Sequence, residues 1–231
     1  MNITYLGHSA ILLESSSTAV IIDPFLRGNP NCTIDPAQLK VDAVIVTHGH
    51  GDHLGDALEI ALNNNCPIIA IFEVAMYCAK KGANIRPMNI GGQVTVNDIH
   101  IRMTMAWHSS SIEEHGVILE GGTAAGVIVT MGDQSFYHAG DTALFGDLKL
   151  IGELYQPDIV ALPIGDAFTM GPDEAVIAAQ WLGAKHVIPI HYNTFSQISQ
   201  DGEGFAAKIR EKGMSAYVLT IEESIEISKG D

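Results

Sequence analysis

Within the stretch VTHGHGDHLGDA, Val46 to Ala57, five side chains of the kind that bind metals (His48, His50, Asp52, His53 and Asp56) fall in nine residues after an apolar run. Imidazole with carboxylate suits borderline and harder divalent cations, whereas a structural zinc more often draws on cysteine. Gly49 and Gly51 are expected to relax the backbone into a tight bend, so that neighbouring ligands converge. An ordinary helix start, with Asp52 as cap, would explain one loop histidine. Three histidines in six positions with an aspartate between them point instead to a metal site.

Further histidines compete for places at such a site. His100 and His108 share one strand-like run and would stand about 26 Å apart at roughly 3.3 Å per residue, so one of them is excluded. His108, followed by the small polar SSS turn, is chosen, and His115 in IEEHG is read as a solvated loop residue. Asp141 in YHAGDT ends a strand just after Gly140, and His191 in VIPIHY follows another apolar strand. His186 opens that same strand, which directs it to the far end and to the surface. Asp23 in IIDPF and His138 in YHAGD are candidates to orient ligand imidazoles by hydrogen bonds, or else are satisfied buried polar residues. His8 lies in the turn GHS between the first two strand-like runs.

The elements that must carry these residues begin with a meander, ITYLG, AILLES and TAVIID, and a Pro- and Gly-rich loop from Pro24 to Pro36. VDAVIVT is nearly continuous Val, Ile and Ala, as in a strand covered on both faces, and LGDALEIALNNN follows with helical spacing. PIIAI and FEVAMYCAKKG repeat the strand-helix order, and VTV and IHIRMTMAW return to antiparallel character. AAGVIVTMGDQSFYHAGDT predicts a hairpin around Gly132 and Asp133. DIVALP, a helix over Pro172–Leu182 with a first-turn proline, HVIPI, a helix over Glu203–Lys212, AYVLT and SIEIS complete the pattern. Antiparallel strands mixed with helical crossovers in both halves predict two sheets face to face with helices outside, in one domain spanning residues 1–231.

Composition narrows the partners. A formal charge of −15, with Lys80–Lys81 as the longest basic run, provides no stripe for nucleic acid. Apolar residues reach 47% but are broken everywhere by glycine, proline and charge, short of the roughly 18 uninterrupted residues of a membrane span. The first residues lack a basic region and a long apolar run, and Cys32, Cys66 and Cys78 form no C-x-x-C pair; a cytoplasmic protein with reduced thiols is expected. A small molecule is the expected partner, with a homo-oligomer left open.

The segment H-x-H-x-D-H resembles the signature of the metallo-β-lactamase superfamily, and the resemblance extends over nearly the whole chain. TYLGHSAILLE, IIDPFLRGNP, THGHGDHLGD, YHAGDTALFGDLKLIGEL, LPIGDAFTMGP and VIPIHYNTF are similar to a bacterial subfamily of metal-dependent hydrolases related to ascorbate-6-phosphate lactonase-like proteins. The resemblance implies an α+β fold, a four-layer αββα sandwich with a dinuclear site at one edge. It implies that His48, His50 and His108 hold one metal, that Asp52, His53 and His191 hold the other, and that Asp141 bridges them. Zinc comes first as the metal, with manganese, iron or nickel as alternatives. In the resembling subfamily the GHS turn faces the metals, so His8 is a candidate to bind substrate or to protonate a leaving group at a near-neutral pKa; Asp52 is the other candidate for proton handling. A hydroxide shared by two metals would cleave an ester, lactone or phosphodiester of a small, in some cases phosphorylated, substrate. His50 stands where diiron relatives carry glutamate, and Asp141 stands near where dinuclear β-lactamases carry cysteine. The competing class is a metal-dependent binding or sensing protein that turns nothing over.

Overall fold

The computed structural model describes residues 1–228. The first half lays down β1 (Asn2–Gly7), β2 (Ala10–Glu14), β3 (Ala19–Ile22), β4 (Ala43–Val46), β5 (Ile68–Ile71) and β6 (Ile85–Met88), with α1 (Gly51–Leu54), α2 (Ala57–Asn64) and α3 (Phe72–Lys80) between them. The second half adds β7 (Gln93–Val96), β8 (Ile99–Met105), the hairpin β9 (Ser111–Glu114) and β10 (Val117–Glu120), then β11 (Ala125–Met131) and β12 (Gln134–His138). α4 (Leu148–Tyr155), β13 (Ile159–Pro163), α5 (Pro172–Leu182), β14 (His186–Ile190), α6 (Gly202–Glu211), β15 (Ser215–Ala216) and β16 (Ser224–Glu226) follow.

Two seven-stranded sheets result, in the orders β16-β1-β2-β3-β4-β5-β6 and β15-β14-β13-β12-β11-β8-β7. Each is antiparallel at one side and parallel from β3 to β6 or from β12 to β15. The parallel strands β4, β5, β13 and β14 are buried at every position, because a second sheet covers one face and helices the other. One core, with Ile3, Ile45, Ile101, Val129 and Phe136, lies between the sheets, and a second, with Tyr137, Leu162, Val187 and Phe205, lies under the helices of the second half. The chain is an αββα sandwich, as the resemblance implied.

β11 and β12 close through Gly132 and Asp133, and α5 begins and ends at the expected residues. AYVLT departs from expectation: the ladder covers Ser215 and Ala216, and Tyr217 adds a single backbone bond to Val187. α4 was not legible, since Gly152 interrupts its pattern. A Cβ there would stand 2.5 Å from Trp181 O, so glycine is what lets α4 approach α5. The β9–β10 hairpin also escaped notice, because Val117 and Ile118 are exposed, against the usual alternation.

Candidate metal centre

The candidate residues leave the sheets at one edge: His8 after β1, His48 after β4, His108 after β8, Asp141 after β12 and His191 after β14. Asp23, at the end of β3, ties this edge together. Its carboxylate accepts from Thr47 N (2.8 Å), Thr47 Oγ1 (2.6 Å) and His53 Nδ1 (2.8 Å). The last bond fixes the His53 proton on Nδ1 and leaves the Nε2 lone pair facing the cluster. Because the Thr47 hydroxyl gives its proton to Asp23, it accepts from His48 Nδ1 at 3.0 Å, and His48 Nε2 is left as an acceptor, met here by His50 Nδ1. Asp23 therefore orients two imidazoles. Asp56 is structural, accepting the backbone N–H groups of Leu26 and Arg27.

The glycines of the motif act differently from expectation, for neither Gly49 nor Gly51 has a positive φ. A Cβ on Gly49 would lie 2.7 Å from Ile112 Cγ1 and 3.0 Å from Ser111 O, so Gly49 admits the neighbouring hairpin, while Gly51 faces open space. The strained glycine is Gly140 at φ +62°, whose Cβ would meet Ala125 O at 2.5 Å. His138 holds that turn: Nδ1 accepts from Gly140 N (3.1 Å), and Nε2 donates to Ser9 O (2.9 Å). Of the two readings offered for Asp23 and His138, Asp23 takes the orienting role and His138 is the satisfied buried polar residue, since both His138 nitrogens are committed to backbone.

All seven residues of the predicted set, and His8, converge. Asp141 Oδ2 lies 3.0 Å from His191 Nε2, 3.3 Å from His53 Nε2, 3.5 Å from His108 Nε2 and 3.9 Å from His48 Nε2. His48 Nε2 is 2.9 Å from His50 Nδ1. Asp52 Oδ2 is 3.1 Å from His8 Nε2, 3.7 Å from His191 Nε2 and 4.0 Å from His53 Nε2. Among the described residues, three groups have ligand atoms mutually within 4.8 Å: His48, His50 and His108; His48, His53 and Asp141; and His8, Asp52, His53 and His191. Despite this closeness, the buried His53 Nε2, His191 Nε2 and Asp141 Oδ1 have no hydrogen-bond partner among the described residues. Buried imidazole and carboxylate atoms crowded together with hydrogen-bonding capacity left over are what a cation would complete, and the imidazole–carboxylate donor set fits a divalent one.

Electrostatics agree with that fit. Burial opposes charge on His53 and His191, yet Asp141, with Asp23 for His53 and Asp52 for His191, holds His53 well above the histidine range and His191 at about 9. Burial would raise Asp141, but His53 and His191 hold it well below the carboxylate range. Burial pushes His48 well down, and lowers His50 and His108 as well. The protein's own field thus keeps excess protons beside Asp141, where a cation would replace them.

His8 differs from its expectation. Burial lowers it to about 4 against its bond to Asp52, so its imidazole is neutral at neutral pH. Asp52 can only accept, so His8 Nε2 donates to it, and His8 Nδ1 accepts from Thr194 Oγ1 at 2.9 Å. His100 is exposed and bonded to Thr95, and His115 is exposed in the turn of the β9–β10 hairpin. His186, expected at the surface, is 3% exposed and hydrogen-bonded to Tyr217. Thr47 and Thr194 were missed by sequence reasoning; the signal was their place beside the histidines in VTH and HYNTF.

An αββα sandwich with such a cluster at one sheet edge is the arrangement of the metallo-β-lactamase fold. The family model described as "Beta-lactamase superfamily domain" matches residues 18–192. The UPF0173 metal-dependent hydrolase YtkL of Bacillus subtilis is 47% identical over 98% of this chain and 100% of its own. The UPF0173 metal-dependent hydrolase MK1542 of Methanopyrus kandleri is 47% identical over 96% of this chain and 97% of its own. The solved structure of Igni18, a metallo hydrolase from Ignicoccus hospitalis, superposes with a TM-score of 0.89 at 34% identity, covering 98% of this chain and 99% of that one. The chain belongs to the UPF0173 metal-dependent hydrolases of the metallo-β-lactamase superfamily.

Proposed function

We propose that this hydrolase is dinuclear, with His48, His50 and His108 holding one divalent cation, Asp52, His53 and His191 the other, and Asp141 between them. The observation that carries the reading is the convergence of these ligand-type side chains at one edge, with the buried His53 Nε2, His191 Nε2 and Asp141 Oδ1 left without a hydrogen-bond partner among the described residues. When bound, two such cations lower the pKa of water and polarise the group it attacks. Zinc is the first choice, and manganese, iron or nickel would fit the same ligands.

The chain's own residues supply the rest. Asp23 and Thr47 keep the ligand tautomers fixed, and Gly140 with His138 holds Asp141 in place. Asp52 is 29% exposed at its side chain, against 3% for Asp141, so Asp52 forms the open side, where a proton can be taken up or passed on, while the buried His8 holds its carboxylate in place. Phe195 and Phe25 pack on His8 at 5.7 and 5.6 Å between ring centroids, excluding water from that imidazole. Phe168 is exposed on the loop that Met170 N ties to Thr142 O beside Asp141, a position suited to a substrate-facing lip. The substrate is a small ester, lactone or phosphodiester. Three unbridged cysteines suit the reducing cytoplasm, and no helix among the described residues is long and apolar enough to cross a membrane.

Chromogenic carboxylic esters and phosphodiesters assayed with and without added metal test this reading: turnover should require metal and vanish in His48→Ala. Metal-loaded protein inert across the panel would favour a binding protein instead. Uptake should also depend on pH. With His191 held at about 9 and His53 also raised well above the histidine range, a cation must displace their protons at neutral pH, so apparent affinity rises as pH rises toward about 9. Chelator competition across that range checks the sign, and an affinity that stays flat or falls with rising pH would contradict it.

A further inference from the structure

Asp52 and His191, assigned above to the same cation, come from distant parts of the chain, in α1 and on the loop after β14. His8, in the turn after β1, touches both. Its backbone oxygen accepts from His191 N at 2.8 Å and from the Tyr5 hydroxyl at 3.2 Å, and its Nε2 donates to Asp52 Oδ2 at 3.1 Å. The imidazoles of His8 and His191 lie 4.2 Å apart between ring centroids. Thr194, on the same loop as His191, donates to His8 Nδ1 at 2.9 Å. One residue thus joins two ligands, and a third side chain holds that residue in place.

The backbone is bent to make this junction. φ is +56° at His8 and +54° at His191, the left-handed region that strains any residue with a Cβ, and such strain persists only where the surrounding contacts hold it. The ring is set as well. With Nδ1 accepting from Thr194, the single proton of the neutral imidazole lies on Nε2, aimed at the Asp52 carboxylate. Asp52 needs such a holder, because its side chain is 29% exposed and sits on a four-residue helix, whereas the His8 side chain is fully buried. Among the described residues, no hydrogen bond or ring contact of His8 reaches His48, His50 or His108.

We propose that His8 and Thr194 are positioning residues for one of the two cations alone: His8 holds Asp52 and His191 in place as its ligands, and Thr194 holds His8 in the tautomer that can do so. The inference rests on the dinuclear reading above and adds to it that the two metal sites can be weakened separately. A donor that fixes a ligand carboxylate before the metal arrives lowers the ordering that binding must supply, and it does so only for the cation which that carboxylate reaches.

The test is competition between the full chain and a chelator for zinc, read as two stepwise affinities, with thermal melts on the same samples to show that each variant is folded. His8→Ala should weaken one step about 10- to 100-fold, the range usual for groups that support a metal ligand, and leave the other unchanged. His8→Gln, whose amide N–H comes close to the position of Nε2, should restore most of that loss. Thr194→Val removes only the hydroxyl from a side chain of the same shape; it should weaken the same step, and Thr194→Ser should not. Thr194→Val carries the test if His8→Ala fails to fold. Unchanged affinities in either His8→Ala or Thr194→Val, or equal weakening of both steps, would overturn the proposal. So would a loss in His8→Gln as large as in His8→Ala, which would make His8 itself a ligand. An unaltered chain that takes fewer than one equivalent of zinc sinks the dinuclear reading, whereas two equivalents held equally well by the His8 and Thr194 variants sink the positioning role alone.

Discussion

Asp141→Asn should leave a folded chain that carries less than one metal where the unaltered chain should carry two, with hydrolysis reduced by more than the roughly 10- to 100-fold typical of residues that only support a ligand. Asparagine keeps the shape and removes the charge. Asp141 Oδ2 stands within 3.0 to 3.9 Å of four imidazole nitrogens, so no other carboxylate in the cluster reaches as many ligands. Without the anion, burial should drive His53 and His191 to their neutral forms, which spares the fold an unpaired buried charge. Elemental analysis with thermal melting distinguishes loss of metal from loss of structure. Two metals retained with normal turnover would remove Asp141 from the centre.

Asp23→Ala should have the largest effect on stability, lowering it by about 3–5 kcal/mol, the usual result of removing one partner from a buried charged pair. The carboxylate accepts three bonds at full burial, and alanine would strand Thr47 N, the Thr47 hydroxyl and His53 Nδ1 together. Asp23→Asn, which keeps one acceptor oxygen, should fold better yet bind metal about 10- to 100-fold more weakly, since the His53 and His48 tautomers are no longer fixed. Urea melts and chelator competition read the two effects separately. A stability change within about 0.5 kcal/mol, as at an ordinary surface site, would contradict the role given to Asp23.

The dense motif and the strands that feed it were legible because ligand chemistry and strand patterning are both local. His48, Asp141 and His191 each follow a buried run, and a strand end is where a sheet can present side chains at an edge. Groups that work through a partner distant in sequence were less legible. Asp23 and Thr47 are 24 residues apart, and nothing in either local pattern reveals that one orients His48 through the other. The burial of His186 was hidden too, because its covering residue Tyr217 lies 31 positions later. His8 shows the same limit for electrostatics. Its turn could be placed from the sequence, but the burial that lowers it to about 4 belongs to the assembled edge.

The most direct test of the account is the metal content of the unaltered protein after reconstitution, measured by mass spectrometry against protein concentration from amino-acid analysis. His48, His50, Asp52, His53, His108, Asp141 and His191 all belong to side-chain groups that could hold a metal ion, and the proposed dinuclear centre would draw on them for two. The predicted result is two divalent equivalents per chain. Fewer than one equivalent, with the chain folded and the pH near neutral, would contradict the dinuclear centre.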